Sequence, residues 1–288
     1  MPEHYKGVIA AFFAFTVWGF FPLYWNWLAQ IDATTIVMHR VVWSFFFVFL
    51  IVLIRKRLRR AFSAIRDLRT ALLIAASAVV IALNWGVFIW AVANGYTIEA
   101  SLGYFINPLI SVLLGVVFFK DRLSRVSVVA VLIAFTGVLS LLVTGYGLPY
   151  IGLFVAVSFG IYGVLKKLTE MSADQSLLLE SAILLIPALI VIMIGFKPRA
   201  DLYTPHHLIL LICGGLLTLL PLMAFSFAAQ RITLSSLGML QYIGPSIQLL
   251  VGITLLGEIW SLPLKLCFTF IWIALSIFSV EQLRKRGT

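Results

Sequence analysis

Ten apolar runs, separated by short polar segments, limit what this chain can fold into. Lipid offers an exposed backbone no hydrogen-bond partner, so a segment that spans it is typically a helix of about 20 mostly apolar residues. We place such helices at residues 6–27, 33–54, 70–93, 98–119, 126–144, 148–168, 174–195, 206–229, 234–256 and 262–281. The sequence therefore predicts an all-α integral membrane protein with ten transmembrane helices, and its loops leave no room for a soluble domain.

The composition agrees with a lipid surrounding. Of the 288 residues, 62% are hydrophobic and 11% are charged, whereas a soluble domain carries about 25% charged residues. The net charge of +10 comes from short basic bursts between the apolar runs, so we expect no nucleic-acid partner. The first run is too long for the apolar part of a signal peptide and indicates a mature span. Cys213 and Cys267 lie in apolar runs, where cysteine usually packs, so we expect no disulfide or metal site.

Lysine and arginine are distributed unequally between the two sides of this predicted bundle. If the N-terminus is cytoplasmic, 17 of the 21 Lys and Arg residues lie in cytoplasmic segments and Arg40 lies within a span, which leaves outside only Lys197, Arg199 and Lys265. Short cytoplasmic loops carry an excess of positive charge in membrane proteins. We therefore predict that both termini are cytoplasmic.

The chain also repeats itself. The stretch 99–121 returns at 236–258, and its proline, glycine and acidic residue recur at a constant offset of 137, in the pairs Pro108 and Pro245, Gly115 and Gly252, and Asp121 and Glu258. The copies fall in the fourth and ninth runs, which cross the membrane in opposite directions because the ninth run comes five runs after the fourth, an odd number. We therefore predict two inverted five-helix halves, residues 1–145 and 146–288, with the substrate path at their interface.

Weaker matches at an offset of 141 support the same division. Trp18-Gly19 in the first run corresponds to Phe159-Gly160 in the sixth, and 38–40 (Met-His-Arg) in the second corresponds to 179–181 (Leu-Glu-Ser) in the seventh. Transport is the function that inverted repeats favour, and rocking of the halves would give alternating access. A channel or an inert scaffold is the alternative for a duplicated bundle.

Several strings carry a family resemblance. They are 39–44 (His-Arg-Val-Val-Trp-Ser), 84–91 with its Asn-Trp and Phe-Ile-Trp-Ala, 99–108 (Glu-Ala-Ser-Leu-Gly-Tyr-Phe-Ile-Asn-Pro) and 241–245 (Gln-Tyr-Ile-Gly-Pro). With the two tandem five-span units, they resemble RarD-type permeases of the EamA branch of the drug/metabolite transporter superfamily over essentially the whole chain. The resemblance implies a bacterial inner-membrane permease connected with chloramphenicol sensitivity or resistance.

Ionisable groups within spans are costly and are the first candidates for function. Arg40 either lines a cavity or serves as a snorkelling or ion-paired structural residue. His39 is a candidate proton-coupling group, and the alternative is a neutral histidine bonded to a carbonyl. Glu180, at the equivalent position of the second half, is a candidate coupling group or cation anchor, and the alternative is exposure to cytoplasmic water. Glu99 begins the fourth span and is best explained as a helix cap.

Polar and aromatic side chains supply further candidates for the substrate path. Asn84 either bonds across helices or lines the path. An aromatic pocket for flat, mostly apolar solutes or cations is predicted from Trp18, Trp85, Tyr104 and Tyr242. Other aromatic residues at span ends are typical of an interfacial belt, namely Trp25, Trp27 and Trp260.

The two repeated prolines predict helix kinks. Pro108 and Pro245 lie near the middle of the fourth and ninth runs, and a proline there frees a carbonyl and bends the helix. We expect Asn107 and Gln241 to turn inward beside them. Gln241 and Gln248 share a helix face because they are seven residues apart.

Missing motifs narrow the class of function. The chain has no GxxxxGK[ST], HExxH or GxSxG string, so we expect neither ATP-driven transport nor an enzyme. His206-His207 has no third ligand nearby, so we expect no metal and no cofactor. We therefore predict a secondary transporter that exports small organic solutes, with protons as a candidate coupling ion and no obligate protein partner. The alternatives are an uncoupled channel or facilitator, a lipid flippase and a structural subunit.

Overall fold

The structure is a computed structural model that describes residues 2–120, 124–169, 171–196, 204–229, 231–232 and 240–284. All regular secondary structure in these ranges is helical. The helices are α1 (Glu3–Gly19), α2 (Phe21–Asn26), α3 (Ala33–Ile54), α4 (Leu58–Ala64), α5 (Leu68–Ala93), α6 (Thr97–Phe119), α7 (Arg125–Val143), α8 (Tyr150–Thr169), α9 (Ala173–Phe196), α10 (Pro205–Ala229), α11 (Ile243–Thr254) and α12 (Leu262–Arg284).

Within the described ranges, nine segments are long and apolar enough to cross a membrane, and α1 with α2 counts as one of them. The ninth predicted run, 234–256, is represented by α11, which has twelve residues. Residues 233–239, with the repeated Ser236-Leu237-Gly238, lie outside the described residues, as does Asp121. The protein is therefore an all-helical membrane protein, and the tenth crossing stays a prediction.

The first predicted run is not one continuous helix. Helix α1 ends at Gly19 and α2 begins at Phe21. Pro22 has no backbone N–H and cannot donate to the carbonyl of Trp18, four residues earlier. The side chain of Gln248 on α11 donates to that carbonyl from Nε2 at 3.1 Å. The proline thus interrupts the helix, and α11 supplies the hydrogen bond from the other half of the chain.

The polar ends of the helices gather at two opposite ends of the bundle. At the N-terminal end, Arg231 Nε lies 2.9 Å from the carboxylate of Glu3, and Arg55 Nη1 lies 3.2 Å from that of Asp174. At the far end, Glu258 binds the first backbone amides of α6. Because these contacts join segments distant in sequence, they fix which loops share each end.

Helix packing joins the first and second parts of the chain. Helix α3 packs on α9 and α10, α8 packs on α5 and α6, and α1 packs on α10 and α11. Helix α7 packs on α12, and α6 also packs on α11. Arg40 and its neighbours lie where α2, α3, α5 and α10 converge, and Glu180 lies where α8 meets α9.

Candidate functional site

Arg40 on α3 is the most deeply buried cation in the described part of the chain, with 4% of its surface exposed. Its Nε donates to the hydroxyl oxygen of Thr218 on α10 at 2.6 Å. The guanidinium carbon lies 3.8 Å from the ring centroid of Trp85, with the rings of Trp25 and Phe21 at 5.3 and 5.6 Å. Aromatic faces attract cations, so three rings hold this charge away from water. We call Arg40, Thr218, Trp85, Trp25 and Phe21 the arginine cage.

The cage corrects one sequence prediction and clarifies another. Trp25 is 1% exposed and therefore does not belong to the interfacial belt; it belongs to the wall behind Arg40. Trp27 is 54% exposed, as a belt residue should be. No described carboxylate forms an ion pair with Arg40, and the side chain is too buried to snorkel.

Asn84 on α5 lies next to the cage and is fully buried. Its Nδ2 donates to the carbonyl of Val155 at 3.0 Å and to the hydroxyl of Ser158 at 2.8 Å, both on α8. The hydroxyl of Tyr104 on α6 donates to Asn84 Oδ1 at 3.4 Å. Of its two predicted roles, the bond across helices is the one these contacts describe: Asn84 links α5, α6 and α8.

Glu180 on α9 forms a second polar cluster, with Lys166, Tyr162 and Ser176. Its Oε1 lies 3.0 Å from Lys166 Nζ and accepts from the hydroxyl of Ser176 at 2.9 Å, and its Oε2 accepts from the hydroxyl of Tyr162 at 3.2 Å. Glu180 is 2% exposed, so the alternative of exposure to cytoplasmic water is wrong. A buried carboxylate with one cation and two hydroxyl donors is neutralised and positioned rather than solvated.

Two residues of the cage and two of the Glu180 cluster are related by the repeat offset in the sequence. The offset of 141 that relates His39 to Glu180 also relates Phe21 and Trp25 to Tyr162 and Lys166. We did not predict Phe21, Thr218, Tyr162 or Lys166 as site residues. The repeat offset was the signal that could have found three of them, whereas Thr218 has no sequence signal because it lies 178 residues from Arg40.

The four aromatic residues of the predicted pocket are all partly buried among other aromatic and apolar side chains. Tyr104 packs edge-on against Phe88 and Phe159, near the cage. Trp18 packs against Phe15 and Phe225, and Tyr242 stacks on Phe105. Trp18, Trp85 and Tyr104 all pack against one buried apolar cluster, whereas Tyr242 packs against another. The aromatic pocket stays a prediction.

Five further predicted residues have defined positions. His39 and Gln241 are half-buried, and Asn107 is 3% exposed and faces α8 beside Gly160. Pro108 lies inside the continuous helix α6, and Pro245 lies in the first turn of α11. A proline in a first turn removes no intrahelical hydrogen bond. The kinks at these two prolines stay a prediction.

Two carboxylates at the far end hold helix N-termini. Glu258 accepts from the backbone N–H groups of Thr97 and Ile98 at 2.6 and 2.8 Å, and Glu99 accepts from that of Ile151 at 3.0 Å. Glu99 is thus a cap, as predicted, but for α8 rather than for its own helix. Burial, together with these two carboxylates, raises the pKa of Tyr146 in the adjoining loop to about 12.

Replacing Glu258 by alanine should destabilise the protein by about 2 kcal/mol, because two N-terminal amides of α6 lose a charged acceptor. Glu3→Ala is the matched control: it removes an exposed acid whose ion pair with Arg231 contributes little to stability because solvent screens it. Thermal unfolding of the purified variants in detergent measures both. Equal midpoints for the two variants would show that the cap contributes nothing.

The sequence matches a transporter family and several of its members. A family model described as the EamA-like transporter family matches residues 5–143. The uncharacterized transporter YojE of Bacillus subtilis is 38% identical over 98% of this chain and 96% of its own. Protein RarD of Salmonella typhimurium is 38% identical over 96% of each chain. The chain belongs to the EamA-like transporter family, among the RarD-type proteins.

Further similarities extend over the whole chain. The chloramphenicol-sensitive protein RarD of Pseudomonas aeruginosa is 31% identical over 98% of this chain and 97% of its own. A crystal structure superposes with a TM-score of 0.61 and 17% identity over 95% of this chain and 96% of that one, which shows a shared fold alone. As an EamA-like protein with nine apolar spans in its described residues, the chain is a multi-pass membrane transporter of small solutes in the bacterial inner membrane.

Proposed function

We propose that this EamA-like protein is a secondary exporter of small organic solutes, including drugs such as chloramphenicol. It works by alternating access between two inverted five-helix halves, residues 1–145 and 146–288. The observation that carries the proposal is the pairing of helix contacts. The pair α6 and α8 corresponds to α11 and α1, and the pair α5 and α8 corresponds to α10 and α1. Each contact thus has a counterpart five spans away, as two inverted units require.

The correspondence extends to single residues. A Cβ added to Gly19 on α1 would lie 2.6 Å from the Cβ of Ile247 on α11, and one added to Gly160 on α8 would lie 3.0 Å from Ile110 on α6. Gly19 and Gly160 differ by the offset 141, and Ile110 and Ile247 by the offset 137. Two equivalent glycine contacts at the interface of the halves support an axis about which they rock.

In this proposal the solute path runs between the halves, past the arginine cage and the Glu180 cluster. Further path residues are Trp18, His39, Asn84, Tyr104, Asn107, Gln241 and Tyr242. The N-terminal end, which carries the basic loops, faces the cytoplasm because short positively charged loops are retained there. We assign Glu180 as the group that couples transport to protons, because a buried carboxylate can bind and release a proton as the site opens to one side of the membrane and then to the other. His39, at the equivalent position of the other half, is the second candidate for this role.

Proteoliposomes test the proposal directly. Reconstituted protein should accumulate radiolabelled chloramphenicol above its external concentration when a pH gradient is imposed, and a protonophore should abolish the accumulation. Glu180→Gln should reduce the uptake to equilibration, because it removes the group that carries the proton. Glu3→Gln, which neutralises an exposed acid at the same end of the bundle, is the matched control and should accumulate normally.

Other results contradict the proposal in distinguishable ways. Flux that only equilibrates in the native protein would indicate a facilitator, and movement of lipid between leaflets would indicate a flippase. No flux of chloramphenicol or of other small solutes under any pH or voltage gradient would exclude a transporter of this kind.

A further inference from the structure

The guanidinium of Arg40 is a buried cation whose charge the described residues do not neutralise. Its hydrogen bond to Thr218 is the one it makes within those residues, and it uses Nε. The Thr218 hydroxyl is itself committed as a donor to the carbonyl of Gly214 at 2.9 Å. Arg40 therefore has both terminal nitrogens, with four N–H donors, available for a ligand.

The aromatic rings do not compensate for the missing anion. Transfer of a charge from water into a protein interior is costly, and each cation–π contact offsets only a part of that cost. The rings stabilise the cation, but they do not satisfy its N–H groups, because the face of an aromatic ring is a much weaker hydrogen-bond acceptor than an anion. An anion that enters this site would therefore stabilise it, because the anion neutralises the buried charge and accepts hydrogen bonds from the guanidinium.

The geometry selects the kind of anion. Because Thr218 occupies Nε, the edge formed by the two terminal nitrogens is what remains, and it matches the two oxygens of a carboxylate. Trp85, Trp25 and Phe21 surround the charge, and Tyr24 packs edge-on against Trp25 with 4.9 Å between the ring centroids. A ligand that reaches this edge meets aromatic surface around it.

We propose that the arginine cage binds the carboxylate of a small organic anion that has an aromatic or otherwise apolar body. The inference rests on the proposed transport function and names a class of solute for it, beside neutral drugs such as chloramphenicol. Arg40 and the rings come from α2, α3 and α5, and Thr218 comes from α10, so the carboxylate is bound where the two proposed halves meet. A solute held there contacts both halves and is placed to respond to their movement.

Binding to the purified protein tests this separately from flux. The probes are benzoate and indole-3-acetate, each compared with its neutral amide, benzamide or indole-3-acetamide. Binding is measured by the tryptophan fluorescence of the cage and by the shift in the unfolding temperature, since a ligand stabilises the state that binds it. We expect the acids to bind and raise the unfolding temperature, and the amides to bind at least about 30-fold more weakly, since the charge-assisted pair is lost.

Variants localise the binding. Arg40→Gln should weaken the binding of either acid by about 30-fold and leave that of the amides unchanged. Arg40→Lys keeps the charge but not the planar guanidinium, and it should weaken the binding of either acid by about tenfold. This variant replaces Arg40→Gln if Arg40→Gln does not fold. Arg125→Gln removes an exposed arginine at the start of α7 and should bind as the native protein does.

The results separate this inference from the proposed function. Equal binding of acid and amide by the native protein, failure of both acids to bind, or unchanged binding by a folded Arg40 variant would overturn the inference. Chloramphenicol flux in that case leaves the exporter proposal in place. Acid-specific binding that needs Arg40, in a protein that moves no solute, would support the site and overturn the transport proposal.

Discussion

Gly152→Ala is expected to prevent α6 and α8 from packing as they do and to destabilise the protein by about 3 kcal/mol, the upper end of what overpacking costs. A Cβ at Gly152 would lie 2.7 Å from the backbone carbonyl oxygen of Glu99. A flexible side chain could rotate away, but a carbonyl inside a helix cannot, so the two helices must separate. Glu99 caps α8 from the same turn, so the separation would also weaken that hydrogen bond.

The same substitution at Gly163 is the control, because Gly163 lies on α8 as well and a Cβ there meets no described atom within 4 Å. Alanine is the better helix former by about 0.5 to 1 kcal/mol, so Gly163→Ala should unfold at or above the native temperature. Thermal unfolding in detergent, followed by size-exclusion chromatography, measures both variants. Equal stability of the two would show that α6 and α8 can shift apart without cost.

Much of the fold follows from the sequence because lipid imposes a simple rule. Apolar runs of a fixed length predicted nine spans that the described residues contain, and the family resemblance was confirmed. The first run shows the limit of this rule: hydropathy does not register the loss of one N–H at Pro22, so the break between α1 and α2 was missed. The partner that compensates, Gln248, lies 230 residues away from Trp18.

The candidate site was predicted less completely than the fold. Arg40 and Glu180 were found because a charge inside an apolar run is conspicuous. The partners of Arg40 were missed because Trp25 and Thr218 are ordinary residues of apolar runs, and only the packing of α3 on α10 and of α2 on α5 gives them a role. A pattern along one chain reports which side chains are costly to bury, and it does not report which distant helix offsets the cost.

Lys166→Met is expected to be among the most destabilising substitutions in the bundle, by about 3 to 5 kcal/mol, because it leaves the carboxylate of Glu180 buried without a cation. Glu180 is 2% exposed, and without Lys166 it has only the hydroxyl groups of Tyr162 and Ser176 as donors. Glu180→Gln should cost less, because the Lys166 side chain is 23% exposed and can extend toward water.

The double variant Lys166→Met with Glu180→Gln should recover most of the loss, since the glutamine oxygen can accept from one hydroxyl group, its NH2 group can donate to the oxygen of the other, and no charge stays buried. Lys167→Met is the control, because it removes the same charge from the next residue of α8, which is exposed. Thermal unfolding of the four variants measures the coupling between the two positions.

If Lys166→Met unfolds no earlier than Lys167→Met, the ion pair contributes nothing, and the double variant then has no loss to recover. If Lys166→Met is destabilised and the double variant is no better, the cost comes from lost packing of the lysine side chain rather than from an unpaired charge.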